Sequence, residues 1–161
     1  MLIKVLLIMM LVFTGWTFSA EEVSAGSTLG VMYLQEMDGE ERSWLGGFFR
    51  TMPRSFGLGF EIEGLMPTSD DVELPYQINP GLMLSVGRTL KLYVGGNMII
   101  TYFQDDFEIH TDCFYAKAGL QYDFGFLSFL AQGRTLVPLD ENFSFDFLDR
   151  KGVEVGAGLT F

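Results

Sequence analysis

Residues 152–161, Gly-Val-Glu-Val-Gly-Ala-Gly-Leu-Thr-Phe, separate cleanly by parity. Val153, Val155, Ala157, Leu159 and Phe161 fall on one side of an extended chain; Gly152, Glu154, Gly156, Gly158 and Thr160 fall on the other. Successive side chains of a strand point to opposite faces, so this stretch has one apolar wall and one small or polar wall. A helix of the same sequence would mix the two sets. The apolar wall must lie against either a protein core or hydrocarbon, and the rest of the chain decides between them.

The amino terminus reads as an export signal. Lys4 is followed by an apolar run from Val5 to Phe13, then by the small residues Thr17, Ser19 and Ala20, then by Glu21 and Glu22. This is the charged, apolar and cleavage-zone order of a secretory signal peptide. Cleavage after Ser19 places Thr17 three residues back; cleavage after Ala20 would place bulky Phe18 there. The domain reading is therefore signal peptide 1–19 and a single β-domain over 20–161. The apolar core is shorter than the roughly 20 residues a spanning helix needs, and no longer run comes after it. If the mature chain lies in a membrane, it must do so as a closed barrel, because only that form pairs every backbone group without a helix.

Seven further segments alternate with period two. Leu29, Val31 and Tyr33 oppose Thr28, Gly30 and Met32. Leu45, Gly47 and Phe49 oppose Trp44, Phe48 and Arg50, a segment apolar on both faces whose pattern leaves its facing open. Phe56, Leu58, Phe60 and Ile62 oppose Gly57, Gly59, Glu61 and Glu63, and Tyr76, Ile78, Pro80, Leu82, Leu84 and Val86 oppose Gln77, Asn79, Gly81, Met83 and Ser85. Leu90, Leu92, Val94 and Tyr102 oppose Lys91, Tyr93, Asn97 and Thr101. Phe114, Ala118, Leu120 and Tyr122 oppose Tyr115, Lys117, Gln121 and Asp123, and Leu127, Phe129 and Ala131 oppose Ser128, Leu130, Gln132 and Arg134. Each runs about 9–11 residues, the length of a tilted membrane strand. Pro80 lacks a ladder donor, so a bulge is expected there.

Connections alternate in length. Residues 35–43, 66–75, 103–111 and 136–149 read as long polar loops, whereas Met52-Pro53-Arg54, Arg88-Thr89 and Phe124-Gly125 read as tight turns. Eight strands in this rhythm put both termini at the short-turn end, as in outer-membrane barrels with short periplasmic turns and longer external loops. Tyr33, Tyr76, Tyr102 and Phe114 then fall at the loop ends, and Phe56, Tyr122 and Phe161 at the turn ends, as two interfacial girdles.

On these features the mature chain resembles the small eight-stranded outer-membrane barrels, the opacity-protein and OmpX-like group. Its tail, with Val155, Ala157, Leu159 and terminal Phe161, is similar to the terminal signature that the outer-membrane assembly machinery reads in such proteins. The resemblance is architectural and implies an all-β, eight-stranded antiparallel transmembrane β-barrel. It also implies bacterial outer-membrane localisation, contact with membrane lipid and lipopolysaccharide, a monomeric state, and a chain that ends at its barrel.

Chemistry is sparse. The formal charge is −11, and removing residues 1–19 takes away Lys4 but no acid, leaving −12; such a chain repels nucleic acid. No cofactor motif occurs. Cys113 stands alone, which excludes an internal disulfide and reads as a buried spare thiol. Some eight-stranded barrels edit lipid A, but the His and Ser two apart of the deacylases is missing, since Asp112 stands two after the lone His110. Adjacent Thr111 would point to the opposite face, so His110 is read as a solvated loop residue and no catalytic site is expected. The acidic loops, with Glu36, Asp38, Glu40, Glu41, Asp70, Asp71, Glu73, Asp105, Asp106 and Glu108, match no EF-hand spacing and are read as solvated, without a metal. Phe143, Phe145 and Phe147 form an apolar ridge, either packed on a neighbouring loop or open to a surface partner.

The inward faces carry Arg50, Lys91, Lys117 and Arg134 against Glu61, Glu63 and Glu154. An eight-stranded interior is just wide enough for side chains to fill, and charges there need partners. The expectation is an ionic plug built on Arg134, Lys117 and Glu154 and reached by Glu61 or Glu63. Such a plug closes the lumen and places transport second; without a catalytic arrangement the chain is expected to be non-enzymatic, with a structural, adhesive or surface-recognition role through its external loops. The alternatives are a transport barrel for small solutes or an apolar ligand, a lipid A-modifying enzyme, and a soluble lipocalin-like barrel.

Overall fold

The computed structural model describes residues 25–37, 42–68, 75–103, 106–139 and 151–161. The proposed signal segment, most of the acidic loop residues and the Phe143–Phe147 ridge lie outside them. Eight strands run in order: β1 (Ala25–Glu36), β2 (Ser43–Pro53), β3 (Phe56–Pro67), β4 (Tyr76–Gly87), β5 (Leu90–Phe103), β6 (Asp106–Phe124), β7 (Leu127–Pro138) and β8 (Lys151–Thr160). Each pairs antiparallel with the next, and β8 pairs back onto β1 from Thr28↔Thr160 to Glu36↔Gly152, so the sheet closes on itself. Closure leaves no unpaired edge.

The start of β1 and the end of β8 lie together at one end of the barrel. The Ser27 amide donates to the Phe161 carbonyl at 3.1 Å and the Phe161 amide to the Ser27 carbonyl at 2.9 Å. That end also carries the two-residue turns after β2, β4 and β6. At the last of these Gly125 adopts a φ of 63°, in the left-handed region glycine enters without steric cost.

The outer wall is apolar and the inside is polar. Leu58, Leu82, Leu84, Leu92, Val94, Leu120, Val155 and Leu159 are all exposed on the outside, and Phe60 is half-exposed among them. Arg50, Glu61, Glu63 and Glu154 are at 0 % exposure. A soluble barrel, lipocalin-like or otherwise, would invert this; an apolar outer wall over a charged lumen is the arrangement hydrocarbon demands. The open facing of the second segment resolves with Trp44, Phe48 and Arg50 inward and Leu45 outward.

Three details depart from the sequence reading. The ladder at Pro80 keeps its register, with Ile78↔Ile100 and Gly81↔Asn97 on either side, so no bulge forms there. The Asn97 side chain instead donates to the Asn79 carbonyl at 2.9 Å, serving backbone next to the missing donor. The register shift lies one ladder further on, between Asn97↔Tyr115 and Ile99↔His110 of the β5–β6 pair. Finally, residues 106–111 are not loop: β6 runs for 19 residues and its hairpin with β5 closes at Phe103↔Asp106.

The aromatic positions track the strand ends with one exception. Tyr33, Tyr76, Phe56, Tyr122 and Phe161 are exposed on the outer wall. Tyr102 packs against Phe107 near the loop end, with ring centroids 4.7 Å apart. Phe114 does not open its strand; it lies within β6, next to outward Gly96.

Candidate functional site

Among the described residues, the lumen holds most of the buried charge. Its centre is Lys117 on β6, whose Nζ lies against a Glu63 carboxylate oxygen, 3.3 Å from Glu61 Oε1 and 3.7 Å from Glu154 Oε2. Arg134 on β7 reaches Glu154 at 3.4 Å. Arg50 on β2 pairs with Glu61 through Nε at 2.7 Å and through Nη2, a two-donor grip on the carboxylate directly opposite it on β3. These three cations and three carboxylates balance, as they must where an unpaired buried charge would be strongly disfavoured.

Neutral groups tie the two halves together. Gln132 Oε1 accepts from Arg50 Nη2 at 2.9 Å and from the Tyr93 hydroxyl at 2.5 Å, while Gln132 Nε2 donates to Glu63 at 3.1 Å and to Glu154. The Arg50 guanidinium lies 4.5 Å from the Tyr93 ring centre, and the Arg134 guanidinium 4.2 Å from that of Tyr115. Stacking on ring faces offsets part of the lost hydration of each cation.

Glycine makes the space. A Cβ on Gly119 would stand 2.8 Å from the Tyr93 hydroxyl oxygen, and one on Gly81 would stand 2.5 Å from the Asn97 side chain. Asn97 fills that gap, 3.3 Å from Glu61 Oε1, and so completes the network on the β5 side.

Lys91 stands apart from this centre. It pairs with Asp123 at 2.6 Å near the turn end, where Asp123 Oδ1 also accepts from Gln121 at 2.8 Å and from Ser128 at 2.5 Å. Alternation places Asp123 inward, but its partner is diagonal: Lys91 stands opposite Gln121 on the ladder. Apolar clusters fill the remainder, with Met52, Met83 and Tyr93 in one and Ile99, Cys113, Tyr115 and Leu136 in another.

At the loop end, His110 is not a solvated residue. It is 3 % exposed, and its Nε2 lies 2.9 Å from the Thr101 hydroxyl across the β5–β6 ladder. The hydroxyl that alternation denies to Thr111 thus comes from the neighbouring strand. Thr101 is itself 6 % exposed, a secondary alcohol closed to an incoming acyl group.

No family model and no curated protein matches the chain. Among solved structures, Ail, the attachment invasion locus protein of Yersinia pestis, has the same fold. The match covers 85 % of this chain and 99 % of Ail at 15 % identity, with a TM-score of 0.51. The shared architecture is a closed eight-stranded antiparallel barrel.

Proposed function

We propose that the chain is a non-enzymatic bacterial outer-membrane barrel with a closed lumen, exported by residues 1–19, which acts at the cell surface through the connections at its loop end. One observation carries the reading: the ionic cluster of Arg50, Lys117, Arg134, Glu61, Glu63 and Glu154 lies across the narrow interior with each member paired. Charges so held neither hydrate a passing solute nor move aside without losing their partners. A transport role would require both. The apolar outer wall supports membrane placement, and the attachment named for Ail supports an adhesive role for a barrel of the same fold.

The test has two arms. Refolded wild-type protein in planar bilayers should show no sustained single-channel conductance; steady channels would favour transport. Cells of a non-adherent bacterium expressing the barrel on their surface should bind host-type cell surfaces or matrix. Replacing residues 38–41, 69–74 and 140–150 by short turns should abolish that binding while leaving the barrel in the outer-membrane fraction. Equal binding by the trimmed barrel would sink the surface-recognition reading.

A further inference from the structure

Strand alternation places His110 and Asp112 on one face of β6 and Cys113 on the other. The register shift between Asn97 and Ile99 removes that separation. Across it, β5 advances from Asn97 to Ile99 while β6 runs from Tyr115 back to His110. The surplus chain in β6 re-aims the neighbouring side chains, as bulges do. His110, Cys113 and Tyr115 are all buried as a result, and Asp112 is half-buried beside them. The imidazole, carboxylate and thiol donor atoms lie within 4.8 Å of one another.

We propose that His110, Asp112 and Cys113 form a binding site for a borderline transition-metal ion of the zinc class at the outer rim of the barrel. Donor chemistry sets the class. One nitrogen, one carboxylate oxygen and one sulfur suit Zn²⁺ or Co²⁺, whereas Ca²⁺ and Mg²⁺ take oxygen ligands almost throughout. Around a tetrahedral ion with ordinary zinc bond lengths, such donors stand about 3.3–3.6 Å apart. Closing the present spread takes roughly an ångström of side-chain rotation, with no change of strand pairing. The Thr101 hydroxyl, 2.9 Å from His110 Nε2, fixes the ring as a second hydrogen bond does for metal-bound imidazoles. The backbone is also held: the Leu139 amide donates to the Asp112 carbonyl at 2.6 Å, and Cys113 stands opposite Pro138 on β7. Asp112 is the most exposed of the three ligands and marks the entry side, and a water completes the fourth position. Binding releases the thiol proton to solvent as the thiolate takes the ion.

The experiment uses the full mature chain refolded in detergent micelles and titrated with Co²⁺ and then Zn²⁺ alone. The expected result is one tight site per chain. Its Co²⁺ form should show a thiolate-to-cobalt charge-transfer band in the near ultraviolet together with tetrahedral visible bands, and Zn²⁺ should bleach both. Cys113→Ser should abolish the charge-transfer band, and His110→Ala should weaken Zn²⁺ binding by about 100-fold or more. Far-ultraviolet circular dichroism of each variant reports whether the barrel has formed. If Cys113→Ser binds Zn²⁺ as the wild type does, the ion sits on the acidic loops and the proposal fails. Absence of the charge-transfer band in a folded wild-type barrel overturns it equally. Thr111→Ala, on the exposed neighbour, should leave binding unchanged.

Discussion

Lys117 and Arg134 face each other directly across the β6–β7 ladder, two buried cations on one cross-strand pair. Like charges so placed repel. Glu154 reaches both, at 3.7 Å from Lys117 and 3.4 Å from Arg134, and its strand neighbour on β7 is the bridging Gln132. Glu61 and Glu63 also hold Lys117, but of the three carboxylates Glu154 is the one placed between the two cations.

Glu154→Ala should therefore cost about 3–5 kcal/mol, since it leaves the cation pair short of its shared counter-charge. Adding Lys117→Met removes one side of the repulsion, and the double variant should lose clearly less than the sum of the singles, with a coupling of about 1 kcal/mol or more. Urea unfolding of the refolded barrel measures both. Strict additivity would show that Glu154 does not mediate between the two.

The outer wall makes a second prediction. Leu82 lies midway along β4 and is 52 % exposed, whereas Phe56 opens β3 at the turn end. Arginine at Leu82 should cost about 2–4 kcal/mol in lipid vesicles, and at Phe56 only about 0–1 kcal/mol. Equal costs at the two depths would mean that the wall does not face a bilayer.

Gly81 and Asn97 form a third test. A methyl group at Gly81 would collide with the Asn97 amide, so Gly81→Ala should destabilise by about 1–3 kcal/mol, the usual range for overpacking. Asn97→Ala alone gives up the contacts to Asn79 and Glu61. In the double variant the new methyl fills the vacated space, so its stability should lie close to that of Asn97→Ala. Full additivity would show that the glycine is required for the backbone and not for the room it leaves.

Much of this was legible in the sequence because strand parity is a local property. Leu58 against Glu61, or Val155 against Glu154, can be assigned without knowing any partner. Strand β2 resisted, since Phe48 and Phe49 are equally apolar; its facing is settled by Arg50, which the ladder sets opposite Glu61. Pairings across strands depend on register, which parity does not carry, and so parity does not reveal the Lys91–Asp123 pair. The least legible feature was the shift beside Asn97. No residue type marks it, yet it turns a loop-like stretch into strand and buries both His110 and Cys113. Pro80 carried the stronger local signal and keeps its register, because Asn97 answers the neighbouring carbonyl.

Gln132 and Gln77 are two buried lumen glutamines with opposite expectations. The amide of Gln132 bonds Arg50, Tyr93, Glu63 and Glu154, so it joins both halves of the charge cluster. Gln132→Met keeps the volume but strips hydrogen bonds from charged groups, worth about 1.5–3 kcal/mol each before relaxation. A loss of at least about 2 kcal/mol is expected. Neither amide atom of Gln77 bonds a protein group among the described residues, although the residue is 1 % exposed. Gln77→Met should be neutral or stabilising, because burying an unpaired amide is itself unfavourable. Parallel urea unfolding of the two variants checks the contrast. If both lose the same stability, the lumen is held by packing volume and not by its hydrogen-bond network.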